Sequence, residues 1–350
     1  MLVAGVLSRV VGLVGTVVVV RFVSPTEYGE AIAGSIVVGT ASQLSSLGIG
    51  QFVIVKTAGQ RDLAFHATVF QLLLGALAIL LLLAAPDRIG GWFNAPGMGR
   101  YLPALALSML IDRVSFVPER VLMREMRFRA VALSRSFGEL AYSAVGVCAA
   151  LAGWGGMAIA VANVARSLVR AAVMVPVVER RDWLQPCRVR LDAMLSVVRF
   201  GAPLSIGGLA NFIASKWDNL LAARFFGAAV MAEYNLAYNL AGMAPGLVSE
   251  QVIDILVPSL AKAEPRRRPD ALVRGVALVS LVAMPLCFGL AAVAPTLVAA
   301  AFNAQWAGVA PMLAILSAVT ALTPLIGIAF AYLQVADRTQ RVMSLQVFAA

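Results

Sequence analysis

Residues 64–85 read AFHATVFQLLLGALAILLLLAA, an apolar run without a single charged side chain. A helix of this length matches the roughly 30 Å hydrocarbon core of a bilayer. Comparable runs recur along the whole chain instead of once near the N-terminus, which excludes a lone signal peptide. We therefore predict an integral membrane protein that crosses the bilayer about ten times as α-helices.

Composition agrees with this prediction and excludes several classes of protein. The 350 residues are 61% hydrophobic and 13% charged, too apolar for a surface that faces water. The three cysteines are scattered without metal-ligand spacing, and the one histidine, His66, lies near a predicted helix end. A phosphate-binding loop motif is absent. We expect no metal, no cofactor and no disulfide.

The predicted spans are joined by short loops, and the loop after the first is the clearest. There, Ser24-Pro25-Thr26-Glu27 combines a capping serine, a proline at the first helical position and a glutamate at the third. An eleventh span begins near Arg341 and is cut off at Ala350. The ten predicted spans are 3–23, 30–55, 64–85, 101–121, 131–152, 155–178, 200–223, 229–257, 272–294 and 308–334.

The basic residues of the loops predict the orientation. Nineteen Lys and Arg residues lie in the even-numbered loops or at the adjoining span ends, and only four (Arg21, Arg88, Arg100 and Arg224) lie on the opposite side. Short loops rich in Lys and Arg stay in the cytoplasm, so the N-terminus is predicted to be cytoplasmic. The basic residues of the cytoplasmic loops then account for the formal charge of +10, and no nucleic-acid partner is expected. Trp92, Trp154 and Trp306 at outer span ends and Trp183 at an inner one resemble an interfacial aromatic belt.

An internal duplication organises the spans. Ala85-Pro86 followed by Phe93-Asn94-Ala95 recurs 209 residues later as Ala294-Pro295 followed by Phe302-Asn303-Ala304. Arg21-Phe22 followed by Glu27-Tyr28 is matched by Arg224-Phe225 followed by Glu233-Tyr234, with three extra residues. The shift spans six helices, so the copies share one orientation. We predict an all-α fold of two parallel six-helix bundles: residues 1–180, a cytoplasmic linker at 181–198, and an incomplete second bundle of about four and a half helices at 199–350.

Eight charges lie near predicted span centres, where each costs about 2.5–3.5 kcal/mol if it faces lipid. They therefore indicate a polar interior, and their five-to-three basic excess favours an anionic ligand such as a pyrophosphate. The candidate substrate-binding residues are Arg9, Arg113, Arg166, Lys216 and Asp218. The candidates for ion coupling or gating are Asp112, Glu139, Glu250 and Asp254, which could instead be counter-charges or a solvated helix end.

Three segments carry a resemblance to a known family: Arg21-Phe22-Val23-Ser24-Pro25-Thr26-Glu27-Tyr28-Gly29, Leu122-Met123-Arg124-Glu125-Met126-Arg127-Phe128-Arg129, and Trp217-Asp218 with the following Arg224-Phe225-Phe226-Gly227. They resemble the polysaccharide-exporting flippases of the multidrug/oligosaccharidyl-lipid/polysaccharide superfamily. The resemblance implies a V-shaped, multi-pass bacterial inner-membrane transporter. It would flip undecaprenyl-pyrophosphate-linked oligosaccharide by alternating access, with a polysaccharide polymerase and glycosyltransferases as further partners.

Other functions remain open from sequence. A cation-coupled drug exporter of the same superfamily would show an acidic pocket within one bundle and an apolar cavity. A membrane-embedded glycosyltransferase or polymerase would carry a sizeable outer loop with catalytic carboxylates, and the predicted outer loops are short. We accordingly predict a transporter and not an enzyme.

Overall fold

A computed structural model describes residues 12, 15–57, 60–185, 187–188, 190–262 and 268–335. Throughout this part the chain is helical, and the described residues form no β-strand. Residues 15–22 form the helical segment α1. The other helices are α2 (Pro25–Ser46), α3 (Ile49–Lys56), α4 (Arg61–Ala84), α5 (Pro86–Trp92), α6 (Leu102–Arg124), α7 (Phe128–Leu151), α8 (Met157–Met174), α9 (Leu191–Phe226), α10 (Ala228–Lys262), α11 (Arg268–Ala301), α12 (Val309–Thr320) and α13 (Thr323–Val335).

Each predicted span from 30–55 to 308–334 coincides with one helix or with a bent pair of helices. The second span is broken at Leu47 and Gly48, whose φ angles are both positive, and α2 and α3 meet at 41°. The last is divided into α12 and α13, with Pro324 in the first turn of α13. The first span and the predicted start of an eleventh lie largely or wholly outside the described residues.

Not every helix is apolar enough to be recognised as a span by hydropathy alone. Among the described residues, five helical segments are long and apolar enough to cross a bilayer: α4, α8, α9, α11, and α12 taken together with α13. Helices α2 and α3 make a sixth if they count as one bent span. Helix α6 is not among them, because it carries Asp112, Arg113, Glu119 and Arg120. The structure pairs most of these charges with other helices, as described below.

The predicted start of α2 is confirmed. The Glu27 amide donates to the Ser24 hydroxyl at 3.3 Å, and the Ser24 amide donates back to a Glu27 carboxylate oxygen at 3.4 Å. Pro25 occupies the first helical position. This reciprocal capping box satisfies two backbone N–H groups that a helix start would leave unpaired.

The chain packs as two compact units, Met1–Ala232 and Glu233–Ala350. In the first unit, one apolar core joins α3, α6 and the 174–183 segment through residues such as Phe52, Val121 and Trp183. A second core joins α2, the 93–98 turn and the end of α9. In the second unit, Val279 and Ala283 of α11 pack with Ile328 of α13. The predicted division of the chain at 181–198 stays a prediction.

Helix α9 lies against α2 and α3 in the first unit, and glycines make the approach possible. A methyl group on Gly201 of α9 would overlap the Leu47 carbonyl oxygen. One on Gly29 of α2 would overlap the carbonyl oxygen of Ala228, the first residue of α10, directly after α9. The Trp217 indole N–H donates to the Thr40 hydroxyl at 3.2 Å between the two contacts. Backbones that approach through small residues are typical of membrane helix packing.

The segment before α9 is fastened to α4 by His66, which is buried. The Arg190 amide donates to His66 Nε2 at 2.8 Å, so Nδ1 carries the hydrogen and donates to the Asp62 carbonyl oxygen at 2.7 Å. The Thr68 hydroxyl donates to the Trp183 carbonyl oxygen at 2.9 Å. The histidine therefore holds the predicted linker to the first unit.

Two of the four tryptophans assigned to an aromatic belt are placed elsewhere. Trp92 and Trp154 are 62% and 55% exposed, as an interfacial position requires. Trp183 and Trp306 are buried in protein instead, so for them the prediction was wrong. Their apolar rings serve as core side chains.

The helix starts also correct part of the repeat alignment. Helices α2 and α10 begin at Pro25 and Ala228, four residues after Arg21 and Arg224, so both pairs are offset by 203 and no insertion separates them. Glu30, and not Glu27, then corresponds to Glu233, and each is the sixth residue of its helix. The match between Ala85-Pro86 and Ala294-Pro295 differs in secondary structure as well, because Pro86 starts α5 whereas Pro295 lies inside α11.

Candidate functional site

The predicted charges of the first unit gather where α6, α7 and α8 pack together. Arg113 of α6 is 3% exposed. One of its guanidinium nitrogens donates to the Ser42 carbonyl oxygen and hydroxyl, both at 2.7 Å, and to the Ser45 hydroxyl at 2.8 Å. The side chain crosses α4 at Gly75, where a methyl group would lie 2.9 Å from Arg113 Cγ. Arg113 thus joins α6 to the C-terminal turn of α2.

Asp112, Glu139 and Arg166 form a second group within this region. The Asp112 carboxylate accepts a hydrogen bond from Ser167 and lies within electrostatic reach of Arg166. Arg166 Nη1 lies 3.6 Å from Glu139 Oε1, and its guanidinium lies 5.0 Å from the Tyr142 ring centroid. The sequence-predicted acid and base candidates are therefore brought together, as ion pairs and a cation–π contact.

Glu119 forms the best-defined ion pairs of this region. Its carboxylate, 9% exposed, accepts from Arg135 Nη2 at 2.8 Å and from Arg170 Nη2 at 3.1 Å. The Arg170 side chain reaches Glu119 across Gly138, where a methyl group would lie 2.6 Å from Arg170 Cγ. One carboxylate of α6 therefore links α7 and α8.

A small pocket adjoins this network on the side of α1 and α2. Thr16, Tyr28, Tyr142 and Ser143 contribute hydroxyl groups to its lining, and the remaining lining residues are small or aliphatic. Tyr142 is shared with the cation–π contact to Arg166. The pocket therefore lies next to charged side chains, although apolar atoms form much of its wall.

The remaining candidates lie apart from this network or outside the described residues. Lys216 is exposed on α9, and Asp218 accepts a hydrogen bond from the Asn219 side chain at 2.8 Å. Arg9 lies outside the described residues, as do the side chains of Glu250 and Asp254. The assignment of all these residues to binding, coupling or gating stays a prediction.

Sequence reasoning missed Glu119 as a participant and counted Arg135 among the loop arginines. The structure places Arg135 seven residues inside α7, on the side that faces Glu119. The available signal was a carboxylate one residue before Arg120, near the end of a span with two further charges. Such a carboxylate at membrane depth indicates arginine partners on neighbouring helices.

A model of one protein family matches most of this chain. The family is described as "Polysaccharide biosynthesis protein", and the match covers residues 18–311. The chain belongs to this family. Among curated proteins, the chain is similar to the lipopolysaccharide biosynthesis protein WzxC of Escherichia coli (strain K12), which is 23% identical over 88% of this chain and 63% of its own length. The succinoglycan biosynthesis transport protein ExoT of Rhizobium meliloti (strain 1021) is 22% identical over 86% of this chain and 60% of its own length.

This member of the polysaccharide biosynthesis protein family spans about three-fifths of the length of those relatives. Its fold is that of two solved transporters. The lipid II flippase MurJ in an inward closed conformation matches with a TM-score of 0.77 over 95% of this chain and 75% of its own, at 12% identity. An inward-facing multidrug resistance MATE family transporter of the MOP superfamily matches with a TM-score of 0.73 over 97% and 83%, at 16% identity.

These comparisons confirm two of the sequence-based predictions. The resemblance to polysaccharide-exporting membrane proteins is confirmed at the level of the family. The all-α, multi-pass membrane fold is confirmed by the helices and by the solved transporters. At these identities the structural likeness concerns the fold alone.

Proposed function

We propose that this protein moves lipid-linked oligosaccharide across the bacterial inner membrane during polysaccharide biosynthesis, by alternating access and without catalysing a covalent reaction. The observation that carries the proposal is the family match over residues 18–311 on a transporter fold. The natural cargo is an undecaprenyl-pyrophosphate-linked repeat unit, which a polysaccharide polymerase and glycosyltransferases would consume and supply.

The charges of the first unit support an anionic cargo. Helices α6, α7 and α8 carry seven arginines and only three acidic residues, Asp112, Glu119 and Glu139. A basic excess in a low-dielectric region favours phosphate-bearing ligands. A drug exporter coupled to a cation needs acidic side chains that can bind the cation. Asp112, Glu119 and Glu139 instead each lie near an arginine.

A flipping assay tests the proposal directly. The whole protein is reconstituted into vesicles with an undecaprenyl-pyrophosphate-linked oligosaccharide, and the fraction accessible to an external glycosidase is followed with time. We expect faster exposure with the protein than without it. Equal rates in the two kinds of vesicle would contradict the proposal.

Two substitutions test the proposed binding residues. Arg9→Ala and Lys216→Ala should slow flipping while the amount of folded protein stays constant, because each removes a cation proposed to face the cargo. Arg88→Ala, which removes an exposed arginine of α5, is the matched control. Unchanged flipping in both variants would remove these residues from the proposed site.

The proposed orientation, with a cytoplasmic N-terminus, is tested separately. Single cysteines placed at Arg61 and at Arg100 should be labelled from opposite sides of the inner membrane by an impermeant maleimide. We expect labelling at position 100 from outside the cell and at position 61 only after permeabilisation. The reverse pattern would overturn the orientation and leave the transport proposal standing.

A further inference from the structure

Three arginines surround the Glu119 carboxylate where α6, α7 and α8 meet. Glu119 pairs with Arg135 and Arg170, at 2.8 and 3.1 Å. Arg120 is close enough to interact electrostatically with both arginines as well as with Glu119. Its guanidinium lies against the Phe116 ring, 5.0 Å from the centroid, and contacts Met123 Sδ at 3.3 Å instead of a second acid. Arg170 also lies within electrostatic reach of Asp112. The three arginines and these two carboxylates leave an excess of one positive charge.

Some hydrogen-bonding capacity of this group is also unused. The Nε atoms of Arg120 and Arg170 are both buried and have no hydrogen-bond partner among the described residues. A buried donor without a partner costs about 1–3 kcal/mol, and more on a charged group. An anion bound beside these side chains would balance the remaining positive charge.

The depth of the three arginines indicates what kind of anion can reach them. Arg120 and Arg170 each lie four residues, about 6 Å, from the ends of α6 and α8, and Arg135 lies about 10 Å from the start of α7. All three helix ends are on the predicted cytoplasmic side. The predicted orientation therefore puts the three arginines near the headgroups of the cytoplasmic leaflet. The Arg135 side chain is 55% exposed.

We propose that Arg120, Arg135 and Arg170 bind the phosphate group of an anionic lipid in the cytoplasmic leaflet. Guanidinium groups match phosphate oxygens in geometry and make charge-assisted hydrogen bonds to them. Glu119 orients Arg135 and Arg170 and at the same time competes with the phosphate for their N–H groups. The site shares its three arginines with the basic excess of the first unit, but it contains none of the candidate substrate-binding residues Arg9, Arg113, Arg166, Lys216 and Asp218. It extends the protein's function beyond transport itself.

Lipid titration tests the site on the whole protein in detergent. The probes are phosphatidylglycerol and, as the zwitterionic control, phosphatidylcholine, with bound lipid counted by native mass spectrometry. We expect phosphatidylglycerol to bind in preference, and Arg135→Gln or Arg120→Gln to weaken it about fivefold. Arg181→Gln, an exposed arginine on the same predicted side, is the matched control and should leave binding unchanged. An equal loss in the Arg181→Gln variant would overturn the proposal, because it would mean that general surface charge attracts the lipid.

Glu119→Gln distinguishes a phosphate site from a purely structural ion pair. If the site binds phosphate, removing the competing carboxylate strengthens lipid binding, even where it lowers thermal stability. Unchanged or weaker binding at equal folded protein would overturn the proposal. Because Arg170→Gln could fail to fold, Arg135→Lys provides a second test. The lysine keeps the positive charge but lacks the planar, paired N–H donors of the guanidinium, so the variant should bind phosphatidylglycerol less tightly than wild type.

A competition experiment identifies the source of the phosphate. We expect undecaprenyl phosphate to displace phosphatidylglycerol, and inorganic phosphate at the same concentration to leave it bound. Displacement by inorganic phosphate at that concentration would overturn the assignment to a lipid. Flipping is measured in parallel in the Arg120→Gln and Arg135→Gln variants. Unchanged lipid binding contradicts this site and not the transport proposal, whereas weakened lipid binding with flipping intact supports a lipid site separate from transport.

Discussion

The Glu30 carboxylate accepts a hydrogen bond of 2.8 Å from the backbone N–H of Gly97. The bond joins the second turn of α2 to the 3₁₀ turn Pro96–Arg100 that precedes α6. In the second unit, Glu233 accepts a hydrogen bond from the backbone N–H of Gly308, just before α12. Each glutamate is the sixth residue of its helix. The same type of hydrogen bond therefore holds a loop to a helix in each of the two units.

Gly97→Ala should destabilise the first unit, because the Glu30 carboxylate would have to move away from the added methyl group and lose its hydrogen bond to the N–H of residue 97. Leaving the partners of such a hydrogen bond unpaired costs about 1–3 kcal/mol. The midpoint of thermal unfolding in detergent measures the effect. Gly91→Ala, at a nearby position with open space around it, is the control and should leave the midpoint unchanged.

The same experiment applies to the second unit. Gly308→Ala should lower the unfolding midpoint, since its methyl group would overlap Glu233, whereas Gly289→Ala meets nothing within 4 Å. Equal midpoints for Gly308→Ala and Gly289→Ala would argue against an equivalent contact in both units.

Gly201→Ala should loosen the packing of α9 on α2. Its methyl group would overlap the Leu47 carbonyl oxygen, and a backbone atom cannot move aside as a side chain can. Gly207→Ala on the same helix meets nothing within 4 Å and raises helix propensity. Hydrogen exchange of the 42–50 segment measures the difference: we expect faster exchange in Gly201→Ala alone. Faster exchange in both variants would point to a general effect on α9.

Ser45→Ala should lower stability by about 1.5–3 kcal/mol, the value of a hydrogen bond to a charged group. The contact it removes is the 2.8 Å bond from Arg113. Ser46→Ala is the matched control, because the Ser46 hydroxyl donates only to Gln43 in its own helix. In an Arg113→Lys background the cost of Ser45→Ala should shrink, and an undiminished cost in this double-mutant cycle would contradict a direct interaction.

The Cys187 thiol should titrate above the usual range of a cysteine. Burial raises its pKa, and the nearby Asp62 carboxylate raises it further. A raised pKa keeps the neutral thiol to higher pH, so alkylation by N-ethylmaleimide should reach its half-maximal rate at a higher pH than for free cysteine. Measured with Cys148 and Cys287 replaced by alanine, Asp62→Asn should move this midpoint downward. A midpoint that stays in place would contradict the contribution of Asp62.

The local features of the fold could be predicted because each is encoded in a few consecutive residues. The capping box at Ser24 and Glu27 depends on residues three apart, and the span at 64–85 on one uninterrupted apolar run. Trp183 and Trp306 could not be placed in the same way. A tryptophan near a span end suits a lipid interface and a protein core equally well, and only the neighbouring helices decide between them.

In the candidate site, too, some features follow from the sequence and others only from the packing of the helices. The sequence by itself determined that charges lie inside the membrane and that basic ones are in excess, since burying a charge in lipid is costly wherever it lies along a helix. Only the tertiary structure decided that Glu119 pairs with Arg135 and Arg170, which are 16 and 51 residues away. The sequence of a helix says little about how that helix is rotated against its neighbours. That rotation is set by packing, including the passage of the Arg170 side chain over Gly138.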